Sequence, residues 1–237
     1  MGGDSAGPGR DCAGRQAASR LIMGGVSVIA PVPARLVEAA ARLLADEGPK
    51  VLTARRLAAE CGTSTMAVYT HFGGMPEVVR AVVQEGFARL TAHMGAVSRS
   101  ADPVADLGLL AMAYRANALA NPQLYVVMFG SASLGGYRLT MEELSIGQET
   151  FQILVEATDR AISAGVFRPA DPAATAAQLW SAIHGFVMLE LAGYFTATAD
   201  VGTVLVPLLV NLVGGLSLDP AATTCKLTAI FTGSSPD

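Results

Sequence analysis

The sequence predicts an all-α protein, with an N-terminal three-helix head followed by a helical-bundle domain. Apolar residues of the head recur at the spacing of amphipathic helices, and beyond residue 100 no segment shows the alternation typical of a strand. Prolines stand where several helical segments begin, and glycines where some of them end. We predict a disordered extension over residues 1–29, the head over 30–90, the bundle domain over 91–218 and a C-terminal tail over 219–237.

The head opens with a predicted helix over Pro33–Asp46, which Gly48 closes. Its apolar face comprises Leu36, Ala39, Ala40, Leu43 and Leu44. A longer helix is predicted from Pro76 to about Met94. Its apolar side comprises Val79, Val82, Val83, Phe87 and Leu90. These two segments enclose the most informative stretch of the chain.

That stretch, residues 53–72, has the pattern of two short helices joined by a tight turn. Thr53 is a good N-cap for the first, which buries Leu57, Ala58 and Cys61. Gly62 supplies the permissive backbone that ends it, and Ser64 or Thr65 caps a second helix running to His71. The exposed residues of this second helix are small, polar or aromatic, as a helix entering the major groove requires. Any small helical bundle with such a turn is the alternative.

The run formed by Leu52, Thr53, Leu57, Ala58, Gly62, Ser64 and Tyr69–Phe72 resembles the N-terminal domain of TetR-type transcriptional regulators. The Tyr-x-His-Phe element is the most specific part of the resemblance. The resemblance implies a homodimer that binds a palindromic operator in double-stranded DNA. It also implies release of the DNA when a small-molecule effector enters the C-terminal domain.

The resemblance assigns expected DNA contacts to positions of this chain. Thr53 matches a phosphate anchor at the start of a helix. Ser64, Thr65 and Met66 match the leading edge of the recognition helix, where base contacts are expected. The polar tips of Tyr69 and His71 match a pair that reaches the sugar-phosphate backbone, and Phe72 matches a core anchor. The predicted set of DNA contacts is completed by Arg55 and Thr70.

Two departures from the family pattern predict modest DNA affinity. The family commonly has a Lys where this chain has Met75, and residues 24–34 contain no charged side chain in place of a basic arm. Each missing cationic contact releases one counterion fewer, so the dependence of affinity on salt becomes less steep.

Composition is consistent with two regions of different charge. Half of the residues are hydrophobic (51%) and only 15% are charged, which suits a chain with a large buried self-interface. Net charge is −4, but residues 1–94 hold ten Lys/Arg and eight Asp/Glu, while residues 95–237 hold six and twelve. The mild asymmetry directs DNA toward the N-terminal end. We expect the protein to be located in the cytoplasm.

Cysteines and the N-terminus add little. Cys12, Cys61 and Cys225 are far apart and form no CxxC motif, so neither a metal site nor a disulfide framework is predicted. The apolar run over residues 21–30 follows Arg10, Arg15 and Arg20 and is similar to a signal peptide. We set that interpretation aside because the head follows directly.

Behind the head, the sequence predicts helices throughout. The predicted segments are residues 102–121, 122–129, 141–164, 173–195 and 201–213, with a loop at Gly135–Gly136. Residues 172–189 and 201–218 carry no charge, so each approaches the ~20 apolar residues of a membrane span. We favour a four-helix dimer interface instead, because both runs include polar or helix-breaking residues. That interpretation places Leu209 in the interface.

Trp180, His184 and Gly185 form a trio that resembles the signature of one C-terminal subgroup of TetR-type regulators, the Trp-His-Gly (WHG) subgroup. Trp180 and His184 share a helix face. They either fill the core or line a ligand pocket. In the second interpretation the pocket residues are Tyr114, Met128, Phe129, Phe151, Trp180, His184 and Met188. A pocket of this composition favours an apolar effector. No cofactor is predicted.

An enzyme is the rival class of protein. The sequence has no GxSxG, HExxH, GxxxxGK[ST] or dinucleotide-binding fingerprint, and the histidines at 71, 93 and 184 are dispersed. No enzymatic activity is therefore expected. A second alternative is a small-molecule-binding or interaction protein with a weakened head, and Met75 is its main support.

Overall fold

The computed structural model describes residues 22, 23, 26, 27, 30–129, 141–195 and 200–232 of the chain. The helices of the head are α1 (Val32–Asp46), α2 (Ala54–Glu60), α3 (Thr65–Phe72) and α4 (Met75–Gly95), with a 3₁₀ turn at Pro49–Val51. The helices of the body are α5 (Pro103–Ala120), α6 (Pro122–Phe129), α7 (Met141–Ser163), α8 (Pro172–Leu191), α9 (Val206–Leu216) and α10 (Pro220–Thr232). A π-helical turn, Val201–Leu205, leads into α9.

The predicted all-α class is confirmed. The described strands are a two-residue antiparallel pair, β1 (Ile22–Met23) and β2 (Val26–Ser27), and a single bridge joins Phe167 to Ser217. β1 and β2 fall within the extension predicted to be disordered. The rest of that extension and the Gly135–Gly136 loop lie outside the described residues.

The structure differs from the prediction at the end of one helix and in the C-terminal tail. The eighth helix stops at Leu191, short of the predicted residue 195, because Gly193 takes a left-handed φ of 75° and Tyr194 N–H donates back to the Leu189 carbonyl at 3.0 Å. The predicted tail contains α10, which packs against α9 and α5 and buries Leu227 to 1% exposure. Thr223, Thr224 and Cys225 in its first half have weak helix propensity, so tertiary packing contributes to its stability.

The head and body share one continuous core through α4 and α6. Helix α4 packs against α1, α5, α6 and α7, and α6 packs against α1 as well as α4. On the head side, the fully buried side chains include Leu36, Leu57, Val68 and Val78. The head therefore contacts the body through both α1 and α4, and not through α4 alone.

A bidentate ion pair joins α5 to α8 in the body. The Arg115 Nε and Nη2 atoms of α5 donate to the two carboxylate oxygens of Glu190 in α8, at 2.8 and 2.6 Å. Both side chains are about one-fifth exposed. Paired N–H···O bonds of this kind fix orientation as well as distance, so they set how α8 lies against α5.

Candidate nucleic-acid interface and ligand site

The turn between α2 and α3 is built from local capping bonds. Thr53 Oγ1 accepts a hydrogen bond from the Arg56 N–H at 3.2 Å and begins α2. Gly62 adopts a φ of 59°, and the Thr63 N–H donates to the Ala58 carbonyl at 2.9 Å. This six-to-one bond closes the end of α2. A side chain at Gly62 would be strained by that φ.

Helix α3 is capped at its start and anchored from beneath. Ser64 Oγ accepts from the Ala67 N–H at 3.2 Å, and the Gly73 N–H donates to the Tyr69 carbonyl at 2.8 Å where the helix ends. Val68 is completely buried and Phe72 is half-buried against the same core. Two apolar side chains four residues apart thus fix α3 on the head.

Every predicted DNA-contacting residue is exposed. Met66 is 69% exposed and Tyr69 is 52% exposed. The remaining exposed members of the set are Thr53, Arg55, Ser64, Thr65, Thr70 and His71. Met75, which stands where a Lys is common, is half-buried at the first position of α4.

Within the described part of the chain, the capping hydroxyls accept hydrogen bonds and donate none. Because the oxygens of Thr53 and Ser64 accept backbone N–H bonds, their O–H protons are left to donate outward. Unpaired N–H groups at a helix start also favour a nearby anion. This is the geometry that binds a phosphate oxygen, although no anion is required for the caps to form.

The two arginines of α2 differ in whether they are already held in ion pairs. Arg56 pairs with Glu47 at 3.1 Å and with Glu60 at 3.0 Å. Among the described residues no ion pair involves Arg55, which is exposed on the same helix. Arg55 is therefore better placed than Arg56 to meet a phosphate.

The body encloses an apolar cavity of about 360 Å³ between α4, α5, α6, α7, α8, α9 and α10. Tyr114, Met128, Phe129, Phe151 and Trp180, all predicted as pocket residues, line it. His184 and Met188, also predicted, are not among the lining residues. The lining also includes residues that sequence reasoning did not select, among them Phe87, Leu154, Leu209 and Leu227.

A polar cluster closes one side of the cavity. Trp180 Nε1–H donates to Tyr114 Oη at 3.0 Å, and Tyr125 Oη donates to Tyr114 Oη at 2.9 Å. His184 Nδ1 lies 3.0 Å from Tyr114 Oη and 2.8 Å from Tyr125 Oη. Each hydroxyl has one proton, and that of Tyr125 is donated to Tyr114, so an unprotonated Nδ1 of neutral His184 accepts from the Tyr114 hydroxyl. Sequence reasoning missed Tyr125, whose only signal was its place in the short 122–129 helix.

The cluster is uncharged near neutral pH. Burial raises the pKa of Tyr114 to about 12, and hydrogen bonds from Tyr125 and Trp180 oppose that rise. Burial likewise raises the pKa of Tyr125 and lowers that of His184. Trp180 therefore faces the cavity, while His184 lies behind it and accepts from the Tyr114 hydroxyl.

The cavity is connected to the head through α6. Met128 lines the cavity and packs on Gly86 of α4, where an added Cβ would lie 2.3 Å from the Met128 sulfur. At the start of α6, Asn121 Oδ1 accepts from Arg89 Nη1 at 2.7 Å, and Arg89 also pairs with Glu38 of α1. One arginine thus joins α1, α4 and the α5–α6 junction.

The outer faces of α8 and α9 form a shallow groove, in which α8 contributes mostly small side chains and α9 contributes two leucines and an asparagine. Its lining comprises Ala174, Ala177, Gln178, Ser181, Ala182, Leu208, Asn211 and Leu212. Leu209, which sequence reasoning places in a dimer interface, is instead 4% exposed and lines the cavity, whereas Leu208 is 38% exposed. Among the helices described, none is long and apolar enough to cross a bilayer.

Two short helices with capped, exposed starts, carried on a helical body that holds an apolar cavity, define a protein with a helix-turn-helix head and a separate helical domain. The sequence model of "Bacterial regulatory proteins, tetR family" matches residues 36–82, and that of "Tetracyclin repressor-like, C-terminal domain" matches residues 107–212. The chain belongs to the TetR family of transcriptional regulators.

Solved structures show the same fold. A protein of unknown function from Rhodococcus sp. RHA1 is 26% identical, with a TM-score of 0.68 over 80% of this chain and 97% of that one. A tetR-family regulatory protein from Rhodococcus RHA1 is 21% identical, with a TM-score of 0.61 over 85% and 98%. The TetR-family regulator PfmR from Thermus thermophilus is 19% identical, with a TM-score of 0.57 over 85% and 100%. No curated protein matches the chain.

Proposed function

We propose that this chain is a cytoplasmic, non-enzymatic repressor that binds operator DNA as a homodimer and is released by a small apolar effector. The observation that carries the proposal is the exposed, doubly capped α3, whose outward side chains are those expected to contact DNA. Two such heads must lie about one DNA turn apart, roughly 34–36 Å or a multiple, to read both half-sites.

Fluorescence anisotropy with the DNA adjoining the gene tests the DNA-binding part. Tyr69→Ala should weaken binding at least several-fold, because it removes an exposed side chain from α3. Gln152→Ala, an exposed change on α7, serves as the matched control and should bind like the wild type. Equal affinity of all three proteins for specific and random duplexes would contradict operator recognition.

The salt dependence of binding should be shallow. Residues 62–75 contain no Lys or Arg, and Arg56 is already paired with Glu47 and Glu60. Few counterions are then released, so the slope of log affinity against log salt should be well below that of about ten phosphate contacts. A titration from about 50 to 300 mM salt measures it, and a slope near −10 would overturn this expectation.

The effector part of the proposal rests on the lining of the cavity. Among the residues that the structure describes, no Asp, Glu, Lys or Arg lines it, and the hydroxyls of Tyr114 and Thr150 already hold protein partners. A dry cavity of about 150 Å³ accepts benzene, so this larger one has room for a medium-length chain or two fused rings. Burial of a charge without a partner is costly, so the effector should be uncharged.

Emission of Trp180 reports on this site, because it is the only Trp in the chain and it faces the cavity. Titration with n-decanol should change that emission, whereas decanoate and decylammonium should bind at least about tenfold more weakly. Tighter binding of either ion than of the alcohol would contradict an uncharged effector.

Transmission to the DNA is proposed to run through α6 to α1 and α4. A molecule in the cavity contacts Met128 and Phe129, and α6 packs directly on α1 and α4 of the head. The effector shifts DNA affinity only by as much as it favours one head spacing over another. Operator affinity that is unchanged by saturating ligand would remove this part of the proposal.

The alternative function is a small-molecule-binding protein with a weakened head. The half-buried Met75, in place of a Lys at the start of α4, is the observation that favours it. The alternative predicts Trp180 quenching by decanol without any sequence-specific DNA complex. Anisotropy and emission measured on the same preparation therefore separate the two functions.

A further inference from the structure

The outer surface of α3 offers no side chain suited to a two-point hydrogen bond with a purine. Between Gly62 and Met75 the chain contains no Arg, Lys, Asn, Gln, Asp or Glu. Arg or Lys with guanine, and Asn or Gln with adenine, are the side-chain pairs that discriminate bases most strongly in the major groove. Hydroxyls contact either kind of base, so Thr65 and Thr70 add little selectivity.

Met66 is the exception to this polar surface. Its side chain is 69% exposed at the second position of α3, while Val68 of the same helix is fully buried. Tyr69 and Thr70 follow at spacings of three and four, so they share the outer face with Met66. An apolar side chain held in water at the tip of a DNA-reading helix gains free energy when another apolar group covers it.

The major groove presents one apolar group, the C5-methyl of thymine. We propose that Met66 selects the operator by packing on a thymine methyl in each half-site. The inference rests on the proposed function and deepens it by naming the base that α3 recognises. Burial of one methyl-sized group corresponds to about a fourfold change in affinity.

The test begins with selection of duplexes from a randomised library by the full-length protein. Each thymine of the enriched sequence is then replaced by deoxyuridine, which keeps the hydrogen-bonding edge and lacks only the methyl. Anisotropy should show about a fourfold loss at one position of each half-site, and about a fifteenfold loss when both symmetric positions are changed.

Protein variants assign the effect to Met66. Met66→Ala should bind the thymine duplex as weakly as the wild type binds the deoxyuridine duplex, and should not distinguish the two. Met66→Leu keeps an apolar side chain and should retain most of the difference. Tyr194→Ala, which changes an exposed aromatic of the body, is the control and should behave like the wild type.

The outcomes separate this inference from the function on which it rests. Failure to enrich any sequence would overturn operator recognition itself. An enriched sequence without thymine in its half-sites, or one whose deoxyuridine duplexes all bind within about twofold of the parent, would overturn only the role of Met66. Retention of the deoxyuridine effect in Met66→Ala would do the same.

Discussion

At the scale of single residues, His184 shows how a buried polar group takes its state from its neighbours. Its Nδ1 lies within 3.0 Å of two tyrosine hydroxyls, and Phe129 and Trp180 surround the ring. No charged group is part of this described contact set. The imidazolium would lose the water around it, and its protonated Nδ1 would no longer accept from the Tyr114 hydroxyl, so the neutral form is stabilised.

We expect the stability of the protein to fall as the pH is lowered from about 6.5. Burial places the folded-state pKa of His184 below its unfolded value. Its contribution is therefore complete above the unfolded pKa and is lost as the pH falls through the folded pKa. Urea unfolding at about pH 7.5, 6.5 and 5.5 measures the effect. His184→Gln should show a smaller decline over this range, and identical profiles would show the assignment to be wrong.

At the scale of elements, the contact of α4 with α6 joins the cavity to the head. Gly86 is buried, and its lack of a side chain lets Met128 lie directly on the α4 backbone. Gly95, near the end of the same helix, is exposed and has nothing within 4 Å of an added Cβ. Close packing therefore requires a glycine at position 86 but not at position 95.

Gly86→Ala should force Met128 toward the cavity, because the new Cβ would lie 2.5 Å or less from two of its atoms. We expect weaker decanol binding by Trp180 emission and a loss of about 1–3 kcal/mol in stability. Gly95→Ala is the matched control, and it should raise stability by up to about 1 kcal/mol through helix propensity alone. Equal behaviour of the two variants would argue against the α4–α6 contact.

At the scale of the whole molecule, the dimer proposed here depends on which side of α9 faces outward. Leu205, Leu209 and Val213 are buried at spacings of four, and Leu208 lies in the open groove with α8. Adjacent leucines thus have opposite environments. This orientation leaves the small side chains of α8, together with Leu208 and Leu212 of α9, on the surface where we place a second copy of the chain.

Leu208→Asp should give a folded monomer by multi-angle light scattering, because it places a charge in the proposed interface. Leu209→Asp makes the same change at the adjacent, buried position and serves as the comparison. It places an unpaired carboxylate in the apolar cavity, so it should destabilise the fold by about 3–5 kcal/mol. A dimer that survives Leu208→Asp with unchanged affinity would place the interface elsewhere.

Local signals were enough to predict the head. The caps at Thr53 and Ser64, the turn at Gly62 and the exposed face of α3 all follow from residues within a few positions of each other. The start of α6 at Pro122 was also predicted, because proline is favoured at the first helical position.

Tertiary packing decided what the local pattern left open. Helix α9 is apolar on most sides, so its periodicity has no polar face to orient it, and only its neighbours place Leu209 inward and Leu208 outward. In the same way, α10 is ordered by burial of Leu227, and Tyr125 joins His184 across fifty-nine positions of the chain. Contacts between distant segments depend on the arrangement of whole helices, which short-range sequence patterns do not encode.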